Sequence, residues 1–205
     1  MIKVSIEGRL RRITLARPEK ANALTRAMLD ALEAAFAEAT GTSSVVILSG
    51  AGRVFSAGAD LDEMQAGLGV DPVWGRVSAA IAGFPGLTIA ALNGTLAGGA
   101  FGLALACDLR LTVAGARFFY PVMRLGYLPQ PADPGRLAAL IGPARAAMIL
   151  LAGCRIGADE ALAWGLVDRV VEPDALQAAA DALAVDALAA APAHLAAIKA
   201  MMVRA

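Results

Sequence analysis

Apolar residues along this chain follow different periods, and each period marks a different kind of structure. Over 2–6 and 11–15 they alternate with polar residues or are β-branched, and Glu7-Gly8-Arg9 between them is turn-like, which predicts an N-terminal hairpin. From 27 to 39 the period becomes helical: Met28, Leu29, Leu32, Ala35 and Phe36 share one face, Asp30, Glu33 and Glu38 take other positions, and Thr25 is placed to cap. Val45-Val46-Ile47-Leu48 is an unbroken apolar run of strand length, followed by the small-residue loop 49–52, and a second such run lies at 87–92. Asp71-Pro72 opens a helix between the two runs. Strand, helix and strand in this order predict a parallel crossover.

The pattern then shortens. A small-residue helix is expected from about 98 to 106 and a strand at 108–113. Asp133-Pro134 and Gly142-Pro143 punctuate two further helices, 159–165 marks a third, and an alanine-rich helical region follows Pro173. Leu176, Leu183, Leu188, Leu195 and Ile198 give that region apolar anchors, so it is expected to fold, with a neighbouring subunit a candidate to cover it. The segment 77–107 carries no charged residue and is long enough to span a bilayer. Pro85-Gly86, Asn93-Gly94 and Gly98-Gly99 cut it into short pieces, however, so buried parallel strands are the expectation and no membrane partner is predicted.

Composition narrows the function. The chain has 205 residues, 58% of them hydrophobic and 18% charged, with a formal net charge of zero, so nothing steers it towards nucleic acid or an anionic surface. Cys107 and Cys154 lie far apart in apolar segments and fit neither a disulfide framework nor a zinc site. No metal is expected. The start of the chain lacks the charged-then-apolar order of a signal peptide, and a cytoplasmic protein is expected.

Two glycine-rich segments carry the candidate chemistry. Ser49-Gly50-Ala51-Gly52-Arg53-Val54-Phe55-Ser56-Ala57-Gly58-Ala59-Asp60-Leu61 and Asn93-Gly94-Thr95-Leu96-Ala97-Gly98-Gly99-Ala100-Phe101-Gly102 each follow a buried strand and lead into a helix. The first lacks the third glycine of a dinucleotide fingerprint, and no Gly-Lys-Ser/Thr is present, so a nucleotide-binding Rossmann reading ranks last. Glycine and alanine also let a backbone N–H approach a ligand oxygen, and the first turn of a helix leaves its N–H groups free. Two such turns can converge on one oxygen that gains negative charge. Tight turns made small for packing are the alternative.

Three further motifs stand in order around these segments: Ile13-Thr14-Leu15-Ala16-Arg17-Pro18-Glu19-Lys20-Ala21-Asn22-Ala23-Leu24 upstream, Cys107-Asp108 downstream, and Gly153-Cys154-Arg155-Ile156 with Ala161-Leu162-Ala163-Trp164-Gly165-Leu166-Val167-Asp168 near the end. With them the chain, from about Ile13 to Lys199, resembles the enoyl-CoA hydratase/isomerase, or crotonase, superfamily. The resemblance implies an α/β, ClpP-like fold of repeated ββα units, with a spiral core over 1–150 and a helical region over 151–205. It implies an acyl-CoA substrate, no cofactor beyond the coenzyme A of that substrate, and a homotrimer or dimer of trimers. Members usually continue for several helical turns beyond the equivalent of Lys199, and those turns serve trimer contacts and sometimes the CoA site.

Residue by residue, the resemblance assigns the two oxyanion N–H groups to Ala59 and Gly99. It places Lys20, Ala21, Ala57, Asp60, Leu61 and Gly98 along the substrate. Lys20, Arg9, Arg11, Arg12 and Arg17 are candidates for CoA phosphates, with solvated strand charges the alternative for each arginine. The two glutamates that serve hydratases as acid and base fall on Gly102 and Val122 and are therefore replaced. Tyr120, Tyr127 and Asp133 are the nearby candidates for a proton-transfer role. Asp133 before Pro134 is by default a helix N-cap, and each tyrosine a core aromatic with its hydroxyl satisfied. His194, the only histidine, is expected at the surface or in packing. An isomerase, a decarboxylase or another non-hydratase reaction fits this pattern, and a degenerate acyl-CoA-binding or partner protein is the alternative.

Overall fold

A computed structural model describes residues 1–203. Strands β1 (Ile2–Glu7) and β2 (Leu10–Leu15) form the expected antiparallel hairpin, and α1 (Arg26–Ala39) follows with the Thr25 side chain accepting the Met28 N–H. From there the chain alternates between two sheets. β3 (Val45–Gly50) enters a large sheet and β4 (Val54–Ser56) a small one; after α2 (Leu61–Gln65) and α3 (Val73–Ala82), β5 (Leu87–Leu92) and β6 (Thr95–Ala97) do the same. A 3₁₀ turn at Gly98–Ala100 runs into α4 (Phe101–Leu105), and β7 (Leu109–Val113) and β8 (Arg117–Phe119) repeat the pair.

Helices α5 (Val122–Leu125), α6 (Asp133–Ile141) and α7 (Pro143–Leu150) come next, then β9 (Ile156–Gly157), α8 (Ala158–Trp164), β10 (Arg169–Val171), α9 (Leu176–Ala189) and α10 (Pro192–Val203). The large sheet has the order β1-β2-β3-β5-β7-β10 and is parallel except for the hairpin. The small sheet has the order β4-β6-β8-β9. This is the α/β architecture with repeated ββ steps that the resemblance implies. The uncharged segment 77–107 divides among α3, β5, β6 and α4, and among the described residues no single helix is long and apolar enough to cross a membrane.

Five short strands, β4, β6, β8, β9 and β10, and the single-turn α5 were not predicted as elements. Two or three residues are too few for any period to show. Those of the small sheet are defined by pairing with one another.

The alanine-rich region packs by closeness rather than by bulk. α9 lies across β3, β5 and β7, and Leu176, Ala180, Ala184 and Ala187 on its inner face are buried. Alanine also fills much of its outer face, so helical contrast is weak in the sequence although the burial pattern is clear. Arginines hold it in place: Arg9 donates to the Leu188 and Ala190 carbonyls at its C-terminal end, where the helix dipole favours a cation, and Arg12 pairs with Asp181 at 2.6 Å. Lys199 on α10 reaches Asp108 at 2.7 Å and the Gly86 carbonyl at 2.9 Å. Val185, Ile198, Met201 and Met202 remain exposed, as does His194.

The Cys-Asp and Gly-Leu-Val-Asp motifs also serve the frame. Asp108 accepts the N–H and hydroxyl of Thr88, while Arg110, buried beneath, donates to the Cys107 and Leu166 carbonyls and takes its place beside β10 by giving its N–H to Asp168. Cys107 is a buried free thiol, pushed up to about 12 by burial, and Cys154 is free and half-buried. Asn22 does similar work nearer the site. It is fully buried, adopts a left-handed φ of 53°, accepts the Arg17 N–H and donates to the Ala51 and Val54 carbonyls. Asn22→Ala strands those backbone groups in the interior and is expected to destabilise the fold by about 3 kcal/mol, read as a lowered urea midpoint with unchanged slope.

Candidate active site

The site is made where the small sheet brings two turns together. β4 and β6 pair in parallel, Val54 opposite Thr95 and Ser56 opposite Leu96, so the residues leaving both strands emerge side by side. Gly58, at φ +98°, and Gly98, at φ +54°, are then in direct backbone contact: a Cβ on Gly58 would lie 3.0 Å from the Ala97 carbonyl oxygen and 3.3 Å from the Gly98 Cα. At Gly58 only glycine satisfies both the positive φ and the approach.

Leu24 orients Ala59. Its N–H donates to the Gly58 carbonyl at 2.7 Å and its carbonyl accepts the Asp60 N–H at 2.9 Å, a parallel bridge to Ala59. In such a bridge the flanking residues make the hydrogen bonds, so the N–H of Ala59 points away from Leu24. Among the described residues no hydrogen bond engages that N–H. Gly99 stands in the first turn of a 3₁₀ helix, where N–H groups have no partner within the helix. Both residues line one groove of about 570 Å³.

Ala57, Leu61, Gly98, Tyr120 and Tyr127 line the same groove, so the structure gathers most of the predicted site residues. Val122, where the resemblance expects the second glutamate, lines it as well. Lys20, Ala21 and Asp60 are not in its lining. Ala21 stands one hydrogen bond behind it, its carbonyl accepting the Ala57 N–H at 2.9 Å, and Lys20 is exposed next to it. Asp60 is a correction to the sequence reading. Its carboxylate accepts from Arg17 at 2.6 Å and from the Asp62 and Glu63 N–H groups, so it caps α2, and the Arg17 hydrogen bond holds it below the usual carboxylate range.

The phosphate candidates are corrected with it. Arg9, Arg12 and Arg17 are engaged as described, and Arg11 is buried against the Ala35 carbonyl and Glu38. Each is neither a free phosphate ligand nor a solvated charge. Lys20 alone of that set stays without such a partner among the described residues.

Asp133 is the second correction. It is the first residue of α6 and makes no capping bond; its side chain turns inward and is 1% exposed. There Oδ2 accepts the Tyr120 hydroxyl at 3.0 Å, and that hydroxyl in turn accepts the Gln130 N–H at 3.2 Å. Tyr120 is thus a satisfied aromatic, stacked on Phe101 at 5.5 Å between ring centroids, and it also orients a carboxylate. Oδ1 has no partner among the described residues. It lies 2.7 Å from where a Cβ on Gly102 would be, so Asp133 occupies the room that a side chain at 102 would need.

Asp133 and Gly102 line a second chamber of about 400 Å³, which shares Trp74, Gly99 and Gln130 with the first groove. Trp74 and Gln130 carried no signal in the sequence. Trp74 is fixed by its Nε1 donating to the Leu68 carbonyl at 2.9 Å, and its ring would meet a Cβ on Gly99 at 3.0 Å. Gln130 lies in an irregular loop and reaches the Gly69 carbonyl at 3.3 Å.

The profile of the family described as "Enoyl-CoA hydratase/isomerase" matches residues 5–205. The chain belongs to that family, within the crotonase superfamily. It is similar to the short-chain-enoyl-CoA hydratase of Clostridium acetobutylicum, 36% identical over 189 residues covering 87% of this chain and 71% of that protein. It is similar also to the carnitinyl-CoA dehydratase of Salmonella arizonae, 37% identical over 210 residues, covering 97% and 78%. Among solved structures, an enoyl-CoA hydratase/carnithine racemase from Magnetospirillum magneticum superposes with a TM-score of 0.91 at 34% identity, covering 99% of this chain and 80% of that one.

Burial holds the Asp133 carboxyl up at about 7 against an ordinary 3.8, while the Tyr120 hydrogen bond and Arg136 pull it down. The folded protein therefore binds a proton near neutral pH that the unfolded chain has released. Stability is full below the unfolded value near 4 and falls as pH rises through 7, by up to about 4 kcal/mol. Asp133→Asn removes this term and keeps an acceptor for Tyr120. Urea unfolding of both proteins at about pH 5 and about pH 8.5 is expected to show the variant gaining on wild type at the higher pH, by roughly 2 to 4 kcal/mol.

Proposed function

We propose that the protein binds an acyl-CoA thioester in the groove and holds its carbonyl oxygen between the N–H groups of Ala59 and Gly99, stabilising the enolate that forms there. The observation that carries this reading is the pair of unengaged backbone donors on two turns locked together at Gly58 and Gly98. Such donors do not reorganise as charge builds on the oxygen, so they favour the transition state over the bound substrate. Leu61, Met64 and Leu128 give the groove an apolar wall suited to the uncharged part of an acyl-CoA. The names of the relatives, which act on CoA thioesters, point to the same substrate class.

Hydration of a double bond needs a group to activate water and a group to deliver a proton. The two positions that the resemblance gives to glutamates hold Gly102 and Val122. Isomerisation or decarboxylation, in which the enolate is the costly species, fits better than hydration. Crotonyl-CoA is expected to lose its conjugated double bond 10²- to 10⁴-fold more slowly than with a family hydratase, the contribution that one acid or base supplies. Turnover at ordinary hydratase rates would show that the two replaced positions are not needed.

The hole itself is tested by Ala59→Pro, which deletes one N–H. Enolate-forming activity is expected to fall about 100-fold or more, with circular dichroism unchanged. Undiminished activity in that variant would remove the hole from the mechanism. Binding of butanoyl-CoA by wild type with no turnover of any thioester would instead favour the acyl-CoA-binding alternative.

A further inference from the structure

We infer that Asp133 is the proton-transfer group of this site, a carboxylate moved from position 102 to α6, and that it shuttles one proton between two carbons of a β,γ-unsaturated acyl thioester. The inference rests on the oxyanion-hole reading and adds the group that reading leaves unassigned.

Three observations carry it. The first is steric: Asp133 Oδ1 stands 2.7 Å from the Cβ that any larger residue at 102 would have, so the carboxylate and the glycine are two halves of one arrangement. The second is the state of that oxygen. It is buried and unpartnered, while Oδ2 is held by Tyr120. A buried carboxylate oxygen left without a donor costs stability unless something else uses it. The third is placement, because the chamber that Asp133 lines shares Gly99 with the groove that holds the proposed thioester.

The surroundings suit a base that must both take and return a proton. Among the described residues Asp133 is the only carboxylate lining either chamber. The titratable groups facing it are Tyr120 from the segment after β8 and Arg136 from its own helix; α3 contributes Trp74 and Ser78 to the chamber, and α4 contributes Gly102 and Leu103. Burial raises its proton affinity towards neutrality, where the two protonation states exchange most readily.

One carboxyl group is enough for a proton shift. Oδ1 takes the proton from the carbon next to the thioester carbonyl, and the bond's electron pair passes to the dienolate whose oxygen sits between the two N–H groups. The same carboxyl then returns that proton to the γ carbon, and the double bond ends between the α and β carbons. No water, oxidant or second base enters.

The test uses the intact chain with 3-hexenoyl-CoA, following the conjugated 2-enoyl thioester, and butanoyl-CoA in deuterated water, following exchange at the α carbon by NMR. Wild type is expected to do both. Asp133→Asn is expected to lose at least ~100-fold in kcat with KM little changed, and to lose α-carbon exchange, while still binding butanoyl-CoA by calorimetry. Tyr120→Phe, which removes a donor to the carboxylate, is expected to move the ascending limb of the kcat/KM profile to higher pH. In the double variant Gly102→Glu, Asp133→Gly, where the clash is relieved, part of the activity is expected to return. Asp133→Asn with wild-type turnover and exchange would overturn the assignment, as would a wild type that binds both thioesters and moves no proton. Loss in Ala59→Pro with none in Asp133→Asn would overturn Asp133 and leave the hole standing; no loss in either would overturn the hole.

Discussion

The backbone contact between Gly58 and Gly98 is the constraint on which the site depends. It exists because β4 and β6 are neighbours in a small sheet, each at the end of a step out of the large one. The alternation of sheets delivers two chain segments that are far apart in sequence to one place with their strands parallel. Parallel strands end on the same side, so the turns that leave them meet. A side chain at Gly58 would press on the Ala97 carbonyl and the Gly98 Cα, and so on the N–H groups one residue further on. The rest of the molecule keeps the two sheets in register: Asn22 ties the loop before α1 to the turn after β3, Leu24 bridges to Ala59, and Trp74 packs over Gly99.

Charge is used in the same service. The arginines near the N-terminus sit on an edge hairpin where solvent would be the ordinary partner. Instead Arg9 and Arg12 fasten α9 onto the sheet, Arg11 fastens α1, and Arg17 fastens the Asp60 cap of α2. The half-buried Arg17–Asp60 pair joins the start of the Arg17–Asn22 segment to the residue after Ala59, so its geometry bears directly on where that N–H points. An ion pair at that place acts on position more than on stability.

Local pattern revealed the parts of this structure whose cause is local. The hairpin, α1, β3 and β5 have periods long enough to read, and the Thr25 cap follows from its place before the first apolar residue of the stripe. The two glycine turns were readable as candidate backbone sites only together with the motifs around them, since small residues packed in tight turns would look the same. What stayed hidden has non-local causes. β4 and β6 are strands only because each finds the other, the destinations of Arg9 and Arg12 lie in α9, and Trp74 and Gln130 enter the site from segments with no chemical signature. Asp133 shows the limit most clearly. A position before proline at the start of a helix suggests a cap, yet its side chain turns inward because a glycine on another helix leaves space and a tyrosine hydroxyl is there to meet it.

That exchange bears on how a site of this fold can change its chemistry. A carboxylate borne on α4 at position 102 and one borne on α6 at position 133 would compete for the same volume, and the 2.7 Å approach means that the Asp133 carboxylate would have to leave its place beside Tyr120 for a side chain at 102 to fit. Gly102 and Asp133 are therefore read together: the glycine leaves the space that the carboxylate fills. The donors on Ala59 and Gly99 are backbone groups and are indifferent to which helix supplies the acid. A carboxylate arriving from α6 is held at a fixed angle by Tyr120 and has one free oxygen, whereas the replaced pair would have offered two separate groups. On the proposed reading, one group with one free oxygen favours moving a proton over adding water, and the reaction changes while the two backbone donors stay as they are.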